Sequence, residues 1–596
     1  GIVDGKWVWA DARNISSSFG DMRDAMYTYY GHGYDVTYGN TLNFDFLLEQ
    51  KLNFITKGLK AHVKGAYNSS VSLTKKRRGK TPHYEPLIQP DGSTLLRRVD
   101  EENKLGYEEA IGRGKDWYVE AALNYKRDFG KHHVSGLVMY NQSITYYPSG
   151  PSAFLSIPRS YIGLVGRATY DYNTRYLLDV NMGYNGSENF APGKRFGLFP
   201  AFSVGWIMSK ENFMKPVKNF MDYLKVRVSY GIVGNDRISD KRFPYLTIIN
   251  ESAEKGWGYN GAGITEKQMG ADNLKWEKAK KIDVGIEGEL FNSKLSFVVD
   301  FFKDIRDGIF QQRQQVPGYI GLVSMPFGNV GSMKSYGSDG NVTYIQDIGK
   351  DMSLTFRGNF TLSNNRVNYF EEADTKYEYN SATGRPYGYQ KGLIALGLFK
   401  DDEDIANSPK QTFGSYLPGD IKYKDVNGDG VVNGDDKVPL SFSSTPRFMY
   451  GFGVEFRYKR LSAAVLFKGT GNTDVYHVGL GYGAGYIPFQ DKQIGNVLSM
   501  AKNPANRWIS REYAEKMGMN PSLAENPNAR FPRMSYGNLE NNSQLSDFWR
   551  DNAKYLRLSE VNINYSLNVP KSIKNLGINS IDLSLVGNNL CAVSYT

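Results

Sequence analysis

The chain has one cysteine in 596 residues, Cys591, so no intramolecular disulfide holds it together and the count says little about compartment. No apolar run approaches the roughly eighteen residues of a membrane helix, and the mean hydropathy is -0.48. A helical membrane protein is excluded. The six histidines, His32, His62, His83, His132, His133 and His477, show no zinc spacing, and neither G-x-S-x-G nor a phosphate loop occurs. Carboxylate pairs such as Asp401-Asp402 read as loop charge, and no catalytic residue is assigned. Basic residues outnumber acidic ones by 72 to 62, but the densest run, Lys75-Lys76-Arg77-Arg78, reads as a solvated loop without interleaved aromatics, which argues against nucleic acid. Gly1 to Gly5 lack the charged and apolar regions of a signal peptide, so an exported protein is expected to begin upstream.

What is present is aromatic residues, 14% of the chain, and 63 glycines. They accompany a repeated pattern, clearest from Lys280 to Ile309. There Leu295, Phe297, Val299 and Phe301 alternate with Ser296, Val298, Asp300 and Phe302, while Ile282, Val284 and Ile286 alternate with Asp283, Gly285 and Glu287. A period of two is that of a strand. Asn292-Ser293 reads as a two-residue hairpin turn. Each arm runs about twelve residues, enough to cross a bilayer core when tilted.

The pattern begins at Thr41, after a segment in which only Lys6-Trp7-Val8-Trp9 reads as strand. It continues through Leu59 to Tyr67, Trp117 to Lys126, Met352 to Leu362, Val561 to Val569 and Ile581 to Val586, for about sixteen strands. Short turns fall at Lys57-Gly58, Phe129-Gly130-Lys131, Asn173-Thr174, Gly349-Lys350 and Lys459-Arg460, with longer ones near 209–222 and 570–579. Long polar segments lie between them, at about 70–115, 148–158, 188–196, 235–279, 310–331, 365–445 and 471–552. Short turns on one side and long loops on the other predict an all-β, transmembrane antiparallel β-barrel, with aromatic girdles in outer-membrane lipid. A soluble propeller or sandwich, for example an extracellular glycan-binding protein, would need a regular period, and none is seen.

Several runs carry a more specific likeness. Tyr184 to Trp206 (YNGSENFAPGKRFGLFPAFSVGW), Leu224 to Asn235, Asn273 to Lys278, Pro418 to Asp436, Phe531 to Ser535, and Ser546 to Trp549 with Tyr555 to Leu558, follow one another in the order of the SusC/RagA family. The chain resembles that family of TonB-dependent outer-membrane transporters. The resemblance implies a barrel of about 22 strands in the full protein, filled by a plug and capped by a SusD-like lipoprotein lid. It also implies TonB-driven import of oligosaccharide or peptide fragments across the cell outer membrane of a Gram-negative bacterium, and leaves open a dimer of transporter–lipoprotein pairs. Residues 1–596 read as barrel, about 16–18 strands, with no plug, TonB-binding segment or final strand recognised. A partial chain is expected. The alternative is a passive diffusion porin.

One site can be named. Asp425 to Asp436 (DVNGDGVVNGDD), in the predicted external loop 365–445, matches the EF-hand loop, which binds hard cations through alternate oxygen ligands. Asp425, Asn427, Asp429, the Val431 carbonyl, Asn433 and Asp436 form the expected ligand set for structural Ca²⁺ or Mg²⁺. Asp436 stands where the loop usually has a longer Glu, and an Asx-rich turn without an ion is the competing reading. Trp257, Tyr259, Tyr482 and Tyr486 are the loop aromatics that could stack on sugar rings or pack against the lid.

Overall fold

A computed structural model describes residues 2–8, 29, 33–79, 81–99, 101–146, 157–238, 241–252, 263–441, 445–477, 502–534, 539–575 and 577–594. Its main element is one antiparallel sheet of sixteen strands, each hydrogen-bonded to the next in chain order. The strands are β1 (Gly33–Lys51), β2 (Leu59–Arg78), β3 (Glu108–Phe129), β4 (His132–Tyr146), β5 (Arg159–Tyr172), β6 (Tyr176–Ser187), β7 (Phe196–Ile207) and β8 (Met221–Asn235). They continue as β9 (Glu277–Leu290), β10 (Leu295–Gln312), β11 (Phe327–Ile348), β12 (Met352–Tyr369), β13 (Phe448–Tyr458), β14 (Leu461–Gly471), β15 (Tyr555–Ser566) and β16 (Asp582–Ser594). Among the described residues, β1 and β16 each pair on one side only.

Alternation assigns the two faces. On β6 the outward residues Tyr176, Leu178, Met182 and Tyr184 are 41–46% exposed, a state that apolar side chains keep only against lipid. The eight steps from Tyr176 to Tyr184 rise about 27 Å along the strand, or about 21 Å after barrel tilt, close to the apolar band of an outer-membrane barrel. Tyrosines mark both ends of that band, and the neighbours do the same. Trp206 and Phe291 lie at the short-turn end, while Trp117 packs edge-on to Tyr67 at 5.5 Å and Tyr184 stacks on Phe196 at 5.1 Å at the other.

The inner face is charged and paired. Arg227 of β8 donates to Glu287 (3.0 Å) and Asp283 (3.0 Å) on β9 and reaches Asp300 on β10 at 2.5 Å. Lys225 adds a 3.1 Å bond to Glu287, and Arg167 and Asp179 pair at 2.5 Å across β5 and β6. A recess of about 460 Å³ opens here, lined by Lys126, Asp128, His133, Asp179, Lys225 and Arg227. Arg357, on the opposite face of β12 from the outward Phe356, pairs with Glu455 at 3.0 Å.

Three expectations change. The connection after β9 is not the two-residue Asn292-Ser293 turn but the four residues Phe291 to Lys294, since Leu290 pairs with Leu295. Phe291, Asn292 and Ser293 all lie in the left-handed region, at φ 60°, 58° and 58°. Such residues cost about 1 kcal/mol each, and bonds from the Ser293 amide to Asp222 (2.9 Å) and from the Phe291 amide to the Phe220 carbonyl (3.0 Å) offset this. Second, the strands run past the apolar band. Strand β1 starts at Gly33, not Thr41, β15 spans Tyr555–Ser566, and β16 extends to Ser594. Third, Lys75 to Arg78 is not a loop but the end of β2, with Lys76 facing Glu108 (3.3 Å) and Arg78 facing Asp35 (2.5 Å) on the flanking strands. Polar residues continue a ladder once it leaves lipid, because backbone pairing does not need apolar side chains. Beyond β2, His83–Ile88 pairs with Thr94–Arg98 and, in parallel, with Lys6–Val8.

Candidate functional site

The long-loop side is built, not merely long. The described parts of two loops, 370–441 with 445–447 and 472–477 with 502–534 and 539–554, interlock into one module. Ala395–Leu398 pairs with Ile421–Tyr423, Gln390–Gly392 with Val438–Ser441, and Asp474–Tyr476 with Arg550–Asn552. Leu393, Leu398, Ile421, Tyr423 and Val432 from the first loop pack on Trp508, Phe531 and Trp549 from the second, all under 9% exposed. Burying side chains of this size stabilises by roughly 1.5–3 kcal/mol each. Gly419 is required at its turn: φ is +88°, and a Cβ there would stand 2.3 Å from the Trp508 ring.

Polar groups cross between the loops inside this core. Asp420 has no exposure. It accepts from Arg533 (2.9 Å), from the Asn542 amide side chain (2.8 Å) and from the Leu417 backbone amide (2.8 Å). Burial nevertheless pushes its carboxyl above the ordinary value, against Arg533 and these donors. Gln411 donates to Asn541 (2.7 Å), and the Tyr423 hydroxyl donates to the Asn541 carbonyl (2.8 Å). Every backbone group so buried has to find a partner, and the paired asparagines supply them.

The Asp425–Asp436 loop hangs from this core by Val432, which is fully buried. Both oxygens of Asp425 accept backbone amides, from Gly428 (2.7 Å) and Gly430 (2.8 Å). Asn427 accepts from Asp429 (2.9 Å), and Asp429 from Val431 (2.9 Å). Gly430, at φ +83°, makes the bend. Asp436 is fully buried and clamps the loop shut, accepting from Val426 and Asn433, both at 2.8 Å. The Asn433 side chain accepts from Asp435 (2.7 Å) and so caps the turn. The structure therefore draws Asp425, Asn427 and Asp429 into one coil, while Asn433 and Asp436 serve the backbone. The chemistry of the first three fits a hard cation: the side-chain oxygens of Asp425, Asn427 and Asp429 each accept one hydrogen bond and keep a second lone pair, and no basic side chain among the described residues pairs with Asp425 or Asp429. Lys376 reaches only Asp435, at 3.7 Å. No group of three or more His, Cys, Asp or Glu residues poised to hold a metal is found among the described residues, so any ion would lean on Asn427 and carbonyl oxygen. Trp257, Tyr259, Tyr482 and Tyr486 lie outside the described residues.

A second knot forms where β6 to β9 leave the membrane. Phe190, Phe199, Ile238, Leu274 and Trp276 make its core, and the Trp276 indole donates to the Arg195 carbonyl at 3.0 Å. A latch ties one further loop, 313–326, to the base of the first: Glu371 accepts from Arg313 (2.8 Å) and the amides of Gln314 (3.0 Å) and Gln315 (3.2 Å). Burial would raise the Glu371 carboxyl, but these donors outweigh it and hold the group below the ordinary value. A lowered carboxyl contributes stability above the ordinary carboxylate range and loses it as pH falls through the depressed value. Acidification below about pH 4 is thus expected to expose 313–326 to an acid-active protease before the barrel unfolds; equal resistance at neutral and acid pH would count against the latch.

Three of the described histidines face carboxylates: His62 meets Glu120 (2.6 Å), His133 meets Asp128 (2.6 Å) and His477 meets Asp551 (2.6 Å), while His32 lies outside the described residues. His132 opens β4.

A single meandering sheet with an apolar outside, a charged inside and elaborate loops on one side defines an outer-membrane β-barrel. Residues 4–590 match the model of the family described as "TonB dependent receptor-like, beta-barrel", and the chain belongs to that family. A TonB-dependent receptor of Formosa agariphila is 24% identical over 553 residues, covering 82% of this chain and 50% of its own. The TonB-dependent receptor SusC of Bacteroides thetaiotaomicron is 23% identical over 417 residues, covering 68% and 38%. The chain thus spans about half or less of the length of the curated relatives it matches. In fold, the RagAB peptide importer in its "open-open" state aligns with TM-score 0.71 at 17% identity, covering 94% of this chain and 58% of that one.

Proposed function

We propose that the chain is the barrel of an energy-coupled importer, working under a SusD-like lipoprotein lid and driven by the TonB complex. Its cargo would be oligosaccharide or peptide fragments taken from the cell surface. The observation that carries this reading is the interlocked loop module. A passive porin needs an open mouth, whereas two loops sharing a core of tryptophans and a buried ion pair make a rigid platform, as a docking lid would require. SusC and the RagAB importer supply the precedent for such a system; the RagAB name speaks of peptide for that protein, and cargo class here stays open between peptide and glycan. Purification of the native complex in mild detergent is the test. Co-purification of a surface lipoprotein in equal amount is expected, and its presence in duplicate would indicate paired transporters. Recovery of the barrel without a lipoprotein under several detergents would favour the diffusion porin.

The Asp425–Asp436 coil is proposed to hold structural Ca²⁺, or Mg²⁺, through Asp425, Asn427, Asp429 and the Val431 carbonyl. The ion would stiffen the module and do no chemistry. Chelation is then expected to speed proteolysis within 410–436, Ca²⁺ to reverse this, and Asp425→Ala to abolish the reversal. Proteolysis indifferent to chelator would leave a self-capped Asx turn.

A further inference from the structure

On the short-turn side, the 208–220 connection differs from the two- to four-residue turns at 130–131, 173–175, 291–294, 349–351 and 459–460. It runs through two 3-10 turns, Met208–Lys210 and Asn212–Val217, and leaves its apolar side chains uncovered. Phe213 is 58% exposed, Phe220 49% and Val217 43%. They are not scattered. Phe213 meets Trp206 edge-on at 6.1 Å, and Phe220 meets Phe291 edge-on at 4.8 Å, so the connection carries a ring pair at each of its two ends, together an apolar ledge along the rim. Trp206 ends the lipid-facing row Phe202, Val204, Trp206 of β7, and the ledge is therefore continuous with the band already in lipid.

Charge completes the picture. Residues 208–220 carry Lys210, Lys215 and Lys218, all exposed, against one acid, Glu211. Glu211 is occupied: it accepts from the Tyr176 hydroxyl (2.7 Å), the Trp206 indole (3.1 Å) and Arg175 (3.2 Å), which pins the start of the segment to the barrel wall. Lys210 is tied back to the Thr174 hydroxyl. Lys215 and Lys218 have no ion-pair partner among the described residues. Aromatic rings at the depth of the acyl boundary with unpaired lysines beside them are the arrangement of an interfacial anchor, in which rings sit among chain ends and ammonium groups meet phosphates.

We infer that the 208–220 ledge is a binding site for anionic glycerophospholipid in the periplasmic leaflet, with Phe213, Phe220 and Phe291 holding acyl chains and Lys215 and Lys218 the headgroup. Short turns of outer-membrane barrels face the periplasm, so the leaflet is that of phospholipid. The site would fix the height of the barrel in the membrane at this rim.

The test uses the native complex, reconstituted in nanodiscs of equal phosphatidylglycerol and phosphatidylcholine, then released into detergent and weighed intact. Wild type is expected to retain phosphatidylglycerol preferentially. Lys215→Gln with Lys218→Gln should cut that preference on the order of tenfold, and the Lys→Arg pair should keep it. Salt raised to about 1 M, where the Debye length falls to ~3 Å, should erase it. Heat-modifiable migration on gels, unchanged in both variants, shows that the barrel is folded. Equal retention of the two lipids by wild type, or equal preference in the Gln variant, overturns the inference.

Discussion

Replacing Arg533 with Leu should release the external loop module while leaving the barrel folded. Asp420 lies wholly buried and Arg533 is its ion-pair partner, 2.9 Å away. Removing one member of a buried pair leaves an uncompensated charge, at a cost of about 3 kcal/mol or more. Here burial already drives the Asp420 carboxyl upward, and the guanidinium is the main opposing charge, so its loss removes what favours the ionised form in this core. The core residues around it come from two separate loops, so the loss is shared by both. Trypsin should then cut within both 390–441 and 502–534, which wild type resists, while heat-modifiable migration stays normal. Cutting in one loop only would mean that the two are not one unit. A double variant with Asp420→Asn should recover part of the loss, because an amide needs no counter-charge.

Dissipating the proton gradient should stop uptake of cargo in living cells, and deletion of TonB should do the same with the barrel present in normal amount. This is the largest effect expected from the importer reading. The inner face offers its argument. Arg227 with Asp283, Glu287 and Asp300, and Arg167 with Asp179, are paired locally, so these stretches of the wall hold no unpaired cation. Such a wall does not pull a charged solute through by itself, and directional transport needs work from elsewhere. Uptake measured with radiolabelled peptide and oligosaccharide mixtures would decide it: accumulation against a gradient that collapses with the uncoupler supports the importer, whereas equilibration that ignores the uncoupler belongs to a pore.

The membrane part of this architecture was legible because lipid imposes a two-residue period on every strand. Phe297, Val299 and Phe301 announce an outward face without help from any distant residue, and so do Ile282, Val284 and Ile286. The extents of strands were less legible, since outside the lipid the ladder at Lys75 to Arg78 is held by Asp35 and Glu108, which no local pattern connects to it. The cation loop showed itself by spacing alone, but its spacing did not tell that Asp436 would turn inward to backbone amides. The loop module was invisible as a unit. Its partners Asp420 and Asn542 stand 122 residues apart, and Ala395 and Asp547 152 apart. Still, a signal existed. Pro418 to Asp436, the described part of Phe531 to Ser535, and Ser546 to Trp549, all family-like runs, are the segments that meet in the module. Tyr184 to Trp206, Leu224 to Asn235 and Asn273 to Lys278 likewise meet in the second knot.

Those separations bear on how the chain assembles. A contact across some 150 residues is slow to find in a free chain, because a long loop must close before any contact rewards it. Registration of β12 with β13, β13 with β14, and β14 with β15 does that closing first by bringing the ends of both loops to neighbouring positions on one rim. The module can therefore mature only after the wall beneath it is in place, and once mature it resists any sliding of those strands. A one-residue slip would flip their faces and pull Leu393 from Leu545 at the same time. The external module and the register of the wall beneath it are thus coupled, so that neither shifts without the other.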